Sequence, residues 1–180
     1  MKKKLIVGLL LVVTLLFASG CGSASTVSVD DPNKIDITKM TSTEIVQKFV
    51  DAGFPIGKVS EYTAATDPNK MLGRPNAYIQ KTDFADSRLQ QVDPTYDPSG
   101  DVNGGMVEVF SNDTDANTRI AYVHSIVSSP GLFFQYEYSY KNVYFRVEGK
   151  LTPDQAAQYG EAFKALTNGQ LPVPYVEVLS

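Results

Sequence analysis

Apolar residues recur every three or four positions in three segments of this chain, which is the spacing of one helix face. Each segment opens with a residue type that caps helices and closes with glycine, asparagine or a Ser-Ser-Pro-Gly break. The first and third segments also carry Glu or Gln three residues after the cap, the pattern of a capping box. The sequence therefore predicts three helices. The first covers about residues 42–52, with Thr41 as its cap. The second is capped by Asn112 or Asp113 and stops at Ser128-Ser129-Pro130-Gly131, and the third is capped by Thr152 and ends at Asn168-Gly169.

Between these helices, apolar and polar side chains alternate with the period of a β-strand. Pro, Gly and Asn clusters separate the alternating segments and predict the turns between them. The last segment, near the C-terminus, follows two prolines and is a candidate edge strand. The predicted strands are Val59–Thr63, Ala77–Asp83, Met106–Phe110 and Tyr175–Leu179, in addition to a hairpin.

The hairpin has the clearest signal in the sequence. Two alternating segments, 134–140 and 143–147, flank the two-residue turn Lys141-Asn142. Pairing Tyr140 with Val143 places only aromatic and apolar residues on one face. The same register sets Glu137 opposite Arg146 on the other face, where their charges attract. A slip of one residue places tyrosines against charges, so the pattern predicts this register.

The order of elements indicates the fold class. A strand, a helix, a hairpin and a further helix follow one another between residues 106 and 167. This order is typical of an α+β fold, in which helices cover a mainly antiparallel sheet. We expect about three helices packed on one face of that sheet, with residues 40–180 forming a single domain.

The first twenty residues differ in composition from the rest of the chain. A basic start, Met1–Lys4, precedes the apolar segment Leu5–Phe17 and then the small residues Ala18, Ser19 and Gly20. This is the order of a secretory signal peptide. The apolar segment has about 13 residues, whereas a membrane-spanning helix needs roughly 20. A cleaved signal at residues 1–20 is therefore favoured over a permanent transmembrane helix.

The sequence Ala18-Ser19-Gly20-Cys21 resembles the lipobox of bacterial lipoproteins. In that family the cysteine thiol receives a diacylglycerol group and the chain is cut before the cysteine. The resemblance implies that Cys21 is lipidated and anchors the domain to the cell membrane, facing the extracytoplasmic side. The usual residue three positions before the cysteine is Leu, and here it is Ala18. The alternative is an ordinary cleaved signal that leaves a free thiol at the mature N-terminus.

Composition limits the partners of the mature chain. Residues 21–39 are rich in small and polar residues and predict a flexible tether. The whole chain has 16 basic and 20 acidic residues, and removal of residues 1–20 takes away three lysines. The resulting net charge of −7 argues against nucleic acid as a partner and against attraction to anionic lipid. A lipid anchor is then what holds the domain at the membrane.

No group of residues in the sequence forms a catalytic pattern. The single cysteine excludes an internal disulfide and multi-cysteine metal sites. The single histidine, His124, has only Ser125 beside it, and neighbours on a helix point apart, so we expect a solvated or boundary helix residue. We therefore expect no enzyme, no cofactor and no resident metal.

The long segment 86–105 contains several oxygen-bearing side chains. Loops of this length inside a domain are functional or mobile. The spacing does not match an EF-hand, so solvation of the loop is favoured over a weak calcium site. The candidate oxygen ligands in and after this segment are Asp97, Asp101, Asn103, Asp113 and Asp115.

Three residues are candidates for ligand binding. Tyr136 and Tyr138 share a strand face with Tyr140 and form either an exposed aromatic platform or, as we favour, sheet core beneath a helix. Arg74 lies in a rigid Gly-Arg-Pro turn and is a candidate for anion recognition. A structural ion pair of Arg74 with Asp83 or Asp86 is the favoured alternative.

The segment Asp67–Tyr78, with its Asp-Pro-Asn-Lys and Leu-Gly-Arg-Pro sequences, resembles a segment of small Gram-positive and phage-borne lipoproteins. The blocks at 107–110 and 149–153 are similar to later blocks of that group. The group has no assigned biochemistry. The resemblance implies a lipid-anchored exterior domain and identifies no catalytic residue.

Three functions follow as hypotheses. The leading one is a non-enzymatic surface lipoprotein whose domain binds a protein or envelope partner. The second is an envelope-polymer hydrolase that uses acidic residues of the 86–105 loop. The third, which depends on the resemblance alone, is a phage-related lipoprotein that excludes a second phage.

Overall fold

The computed structural model describes residues 34–91, 103–128 and 134–177. This part of the chain contains three helices and a five-stranded antiparallel sheet, which confirms the predicted α+β class. The helices are α1 (Ser42–Asp51), α2 (Asp113–Val127) and α3 (Pro153–Thr167). The strands are β1 (Ile56–Glu61), β2 (Gln80–Asp86), β3 (Gly105–Val109), β4 (Gln135–Tyr140) and β5 (Val143–Glu148). Short 3₁₀ turns occupy Ile37–Lys39 and Ser87–Gln91.

The sheet has the strand order β1-β2-β3-β5-β4, and all neighbours are antiparallel. The predicted hairpin is confirmed in detail. Tyr140 pairs with Val143, and Glu137 pairs with Arg146. Lys141 adopts a positive φ of 50° in the two-residue turn, as turns that match the strand twist require. The hairpin places β4 at one edge of the sheet, and β1 forms the other edge.

The helices lie on both faces of the sheet, so the prediction that they share one face is wrong. The α1 and α3 helices pack on the apolar face, where Phe49, Phe145 and Tyr159 belong to one buried cluster. The α2 helix packs on the opposite face, in a separate cluster with Tyr78 and Tyr144. The central strands bury side chains on both faces, and the second face therefore needs a helix of its own.

The helix ends agree with the predicted signals. Thr41 with Glu44 and Thr152 with Gln155 both form complete capping boxes, and Asn112 caps α2. Each cap supplies acceptors to backbone N–H groups that have no partner inside the helix. Local sequence therefore determines where each helix begins.

Two terminal segments differ from the predictions. Residues 34–39 belong to the folded unit, because Ile37 is 1% exposed and Ile35 packs against the same cluster. The rest of the predicted tether, from 21 to 33, lies outside the described residues. The C-terminal segment is not a strand as far as residue 177. Tyr175 donates its backbone N–H to the carbonyl of Ala52 and packs on Phe54, so the chain contacts the C-terminal end of α1.

Neither α1, α2 nor α3, the helices of the described ranges, has the length and hydropathy that crossing a bilayer requires.

Candidate functional site

Beneath α2 the sheet presents charged side chains where an apolar face is usual. Cross-strand neighbours on β2, β3 and β5 form two rows on this face. All but the methionine are less than a tenth exposed. One row is Asp83, Met106 and Arg146, and the next row is Lys81, Glu108 and Tyr144.

Glu108 is the centre of the first ion-pair group. Its carboxylate is fully buried and lies 3.2 Å from the guanidinium of Arg119 and 3.3 Å from that of Arg146. A buried carboxylate without such partners is strongly unfavourable. Arg119 comes from α2, so this group also fixes the position of α2 on the sheet.

Lys81 is the centre of the second group. Its ammonium lies 3.4 Å from Asp83 and 4.0 Å from Asp67. The Asp67 carboxylate also accepts hydrogen bonds from the Tyr78 hydroxyl and from the backbone of Met71 and Leu72. Burial acts to raise the pKa of Asp67, but these hydrogen bonds outweigh it and hold the pKa below the ordinary value. The loop before β2 is thereby tied to the charged face.

A groove of about 710 Å³ opens between α2 and the strands of this face. Its floor includes charged residues from both groups, and its wall is formed by exposed or partly exposed side chains of α2. Volumes of this size are typical of sites for small organic ligands. We call it the charged groove; its lining includes Tyr62, Asn69, Lys81, Asp83, Met106, Arg119, Tyr122, Ile126, Phe134, Arg146 and Glu148.

Two buried polar atoms in the lining of the charged groove have no hydrogen-bond partner. These are Oδ1 of Asp83 and Nε of Arg146, and the only other such side-chain atom in the described ranges belongs to Asn142. Native structures satisfy most buried polar groups, because an unsatisfied one costs about 1–3 kcal/mol. Burial raises the pKa of Asp83 to about 6, although Lys81 and the hydroxyl of Tyr62 act to lower it. Asp83 and Arg146, which line the groove, therefore each keep a polar atom whose hydrogen-bonding capacity no described residue meets.

The predicted neighbours Glu137 and Arg146 are adjacent in register, but each has a different polar contact. Glu137 accepts a hydrogen bond from the Tyr144 hydroxyl and lies 2.7 Å from Nδ1 of His124. Burial and this acceptor raise the pKa of Tyr144 above its ordinary value. The side chain of His124 is 64% exposed, which confirms the expected solvated helix residue.

The structure does not bring the three predicted ligand residues together. Tyr136 and Tyr138 lie on the α1/α3 face, and their hydroxyls donate to the carbonyls of Leu151 and Ala156. They are partly buried against the apolar cluster, as the favoured core interpretation expects. Burial raises the pKa of Tyr138 to about 12.

Arg74 is exposed in the loop before β2. Its predicted ion pair is wrong, because Asp83 contacts Lys81 and Asp86 contacts Arg88. In that pair, Arg88 lies 2.6 Å from Asp86, which also accepts a hydrogen bond from Tyr159. Asp86 is thus held within the core.

Most of the predicted 86–105 loop lies outside the described residues, including Asp97 and Asp101. Asp113 and Asp115 lie in the first turn of α2, where Asp115 accepts hydrogen bonds from Ser111 and Asn112. Within ranges 34–91, 103–128 and 134–177, no three His, Cys, Asp or Glu side chains are grouped to hold a metal ion. Cys21 and the predicted signal peptide, residues 1–20, also lie outside the described residues.

Sequence reasoning missed the members of the charged groove as a group. A signal was present, because Lys81, Asp83, Glu108 and Arg146 are charges inside strands whose neighbours are strongly apolar. Charged residues at alternate positions of buried strands indicate a polar face that must be paired. The partner from α2, Arg119, has no local signal.

Comparison of the chain with protein-family models, with curated proteins and with solved structures gives no match.

Proposed function

We propose that this chain is a membrane-anchored extracytoplasmic lipoprotein whose domain binds a protein or envelope partner through the charged groove. The signal-like residues 1–20 and the lipobox-like Cys21 support the anchor. Two acyl chains on one cysteine hold a protein stably, since each buried CH₂ contributes about 0.8 kcal/mol. The acidic body then stands outside the membrane and away from anionic headgroups.

The unpartnered buried atoms of Asp83 and Arg146 are the observation that supports binding. A ligand that supplies a donor to Asp83 and an acceptor to Arg146 satisfies both atoms. We favour binding over catalysis because the Asp83 carboxylate of the groove contacts Lys81. Glu108, which is fully buried and not part of the lining, contacts the lining residues Arg119 and Arg146. Carboxylates paired in this way support a role in recognition.

The anchor is tested by partition of the full-length protein, expressed in a Gram-positive host, between detergent and aqueous phases. We expect the wild type in the detergent phase, with mass spectrometry finding an acylated Cys21 as the first residue. Cys21→Ser should lose the acyl groups. Adding Ser23→Cys to that variant restores a thiol two residues away and should not restore acylation. A wild-type product without acyl groups contradicts the anchor.

The binding role is tested by photo-crosslinking in cells. Tyr122 is 62% exposed in the wall of the charged groove, and Val173 is 74% exposed in the C-terminal segment. p-Benzoylphenylalanine at position 122 should crosslink a discrete partner, whereas the same residue at position 173 should not. The crosslink at 122 should weaken in an Arg119→Gln background. Equal crosslinking at both positions, or none at 122, contradicts binding through the groove.

A further inference from the structure

The charge of the groove is divided unevenly between its two ends. At one end, the single carboxylate of Glu108 balances two guanidinium groups, those of Arg119 and Arg146. This end has one positive charge in excess. The Nε–H of Arg146 has no acceptor, and the Nη1 of Arg119 has only the thioether of Met71 at 4.0 Å. Guanidinium donors of this kind suit an oxygen anion that accepts two hydrogen bonds.

The other end has the opposite excess. A single ammonium, that of Lys81, faces the carboxylates of Asp67 and Asp83. Asp67 is saturated by hydrogen bonds from the loop before β2, whereas Oδ1 of Asp83 has no donor. This end therefore suits a hydrogen-bond donor such as an amide N–H or an ammonium group.

The strand register sets the distance between the two ends. Asp83 and Arg146 both pair with Met106, from either side, so they lie on the same face two strands apart. Two strand spacings are about 10 Å, and an extended peptide advances about 3.4 Å per residue. A segment of about three residues spans this distance. The wall side chains Tyr122 and Ile126 offer apolar contact to its side chains.

We propose, on the basis of the binding function proposed above, that the charged groove binds a short extended peptide by its free carboxylate. Arg119 and Arg146 hold the carboxylate, and Asp83 accepts a hydrogen bond from an N–H group about three residues before it. A phosphate dianion fits less well, because the Asp83 carboxylate also lines the groove and repels a second negative charge. Glu148 lines the groove as well, but its charge is opposed by Lys150 and is therefore left out of the charge balance of the arginine end.

The test is an NMR titration of the ¹⁵N-labelled mature protein with a tripeptide mixture that has free carboxyl termini. We expect shifts in the side-chain Nε–H signals of Arg119 and Arg146 and in the backbone amides of Met106 and Tyr122. The C-terminally amidated mixture should bind at least tenfold more weakly. A third titration adds a glutamate side chain to the amidated peptides and shows whether a side-chain carboxylate substitutes for the terminal one.

Variants separate the proposed contacts from folding. Arg119→Gln should weaken binding of the free-acid tripeptides at least tenfold. Tyr122→Ser shortens an exposed side chain and should weaken their binding less. Lys164→Gln, an exposed charge change on α3, is the matched control and should change nothing. Circular dichroism reports whether each variant is folded. If Arg119→Gln is not folded, Tyr122→Ser is the variant that tests the groove.

Several results overturn the inference. If the free-acid and amidated peptides bind the groove equally well, recognition of the carboxylate is wrong, although the groove still binds peptide. Inorganic phosphate binding as tightly as the acid mixture assigns the site to phosphate. If no NMR signal of the groove shifts, peptide recognition is wrong. The crosslinking experiment at position 122 tests the proposed binding function independently of this result.

Discussion

The two faces of the sheet are stabilised in different ways by the same strands. On the α1/α3 face, β5 contributes Phe145, whose ring packs against those of Phe49 and Tyr159. On the α2 face, the next residue along, Arg146, pairs with Glu108. Burial of aromatic area stabilises a fold directly, whereas a buried ion pair gains little over apolar residues of the same volume. The comparison teaches that burial stabilises the apolar face directly, whereas each ion of the charged face must keep its partner.

The apolar face should be the more sensitive to truncation. Phe145→Ala removes a fully buried ring and leaves a cavity, so we expect a loss of about 4 kcal/mol in the free energy of unfolding. Chemical denaturation measures this loss. Val59→Ala, at a position 39% exposed on β1, is the control and should cost much less. If Phe145→Ala lowers the free energy of unfolding by less than about 1 kcal/mol, the apolar face does not stabilise the fold as proposed.

On the charged face, removing one partner should be costly even though the group as a whole gains little. Glu108→Gln leaves two buried guanidinium groups without their carboxylate, and we expect a loss of about 3 kcal/mol. Adding Arg119→Met removes one of the uncompensated charges and should recover part of that loss. Denaturation of both variants measures the coupling. Additive losses contradict a shared ion-pair group.

The charged face should also give the stability a specific pH dependence. Burial raises the pKa of Asp83 to about 6 from an ordinary 3.8, so the folded state binds a proton between these values that the unfolded state has released. Stability is therefore lost as the pH rises from about 4 through 6. The wild type should lose about 2–3 kcal/mol relative to Asp83→Asn over this range. Thermal denaturation of the wild type and of Asp83→Asn at pH 4 and pH 8 measures this loss. A difference in stability between the two proteins that is the same at both pH values contradicts the prediction.

The smallest expected effect does not depend on the face. Thr152→Ala and Asn112→Ala remove the caps of α3 and α2, and each should cost about 1 kcal/mol because a cap satisfies local N–H groups. Thr118→Ala, at an exposed position within α2, is the control. A much larger effect at Asn112 than at Thr152 indicates that the cap supports the packing of α2 on the sheet.

Features determined by neighbours in sequence were predicted well. The caps at Thr41 and Thr152 and the hairpin register around Lys141 need only residues within about ten positions. The start of β2 was placed three residues early, at Ala77 instead of Gln80, because Ala77 and Tyr78 are buried in the loop that precedes the strand. Alternation indicates burial, and here a folded loop supplied burial without a strand.

Features determined by distant residues were not predicted. The sequence gives no local indication of which sheet face α2 covers. Because α2 covers the charged face, Glu137 contacts His124 of that helix, whereas Arg146 contacts Glu108. The candidate site depends on the same choice. Its members come from the loop before β2, from four strands and from α2, so no single segment contains the whole groove.

The way α2 is held has a consequence for the kinetics of the native state. Its buried apolar residues are few, namely Ala116, Val123 and Val127, and much of its attachment is through Arg119. Segments with little buried apolar contact open locally, at a lower free energy than global unfolding. Amide hydrogens of α2 should therefore exchange with solvent deuterium sooner than those of α1 and α3. The peptide proposed for the neighbouring groove should slow that exchange selectively, so deuterium uptake by α2 provides a second test of the proposal.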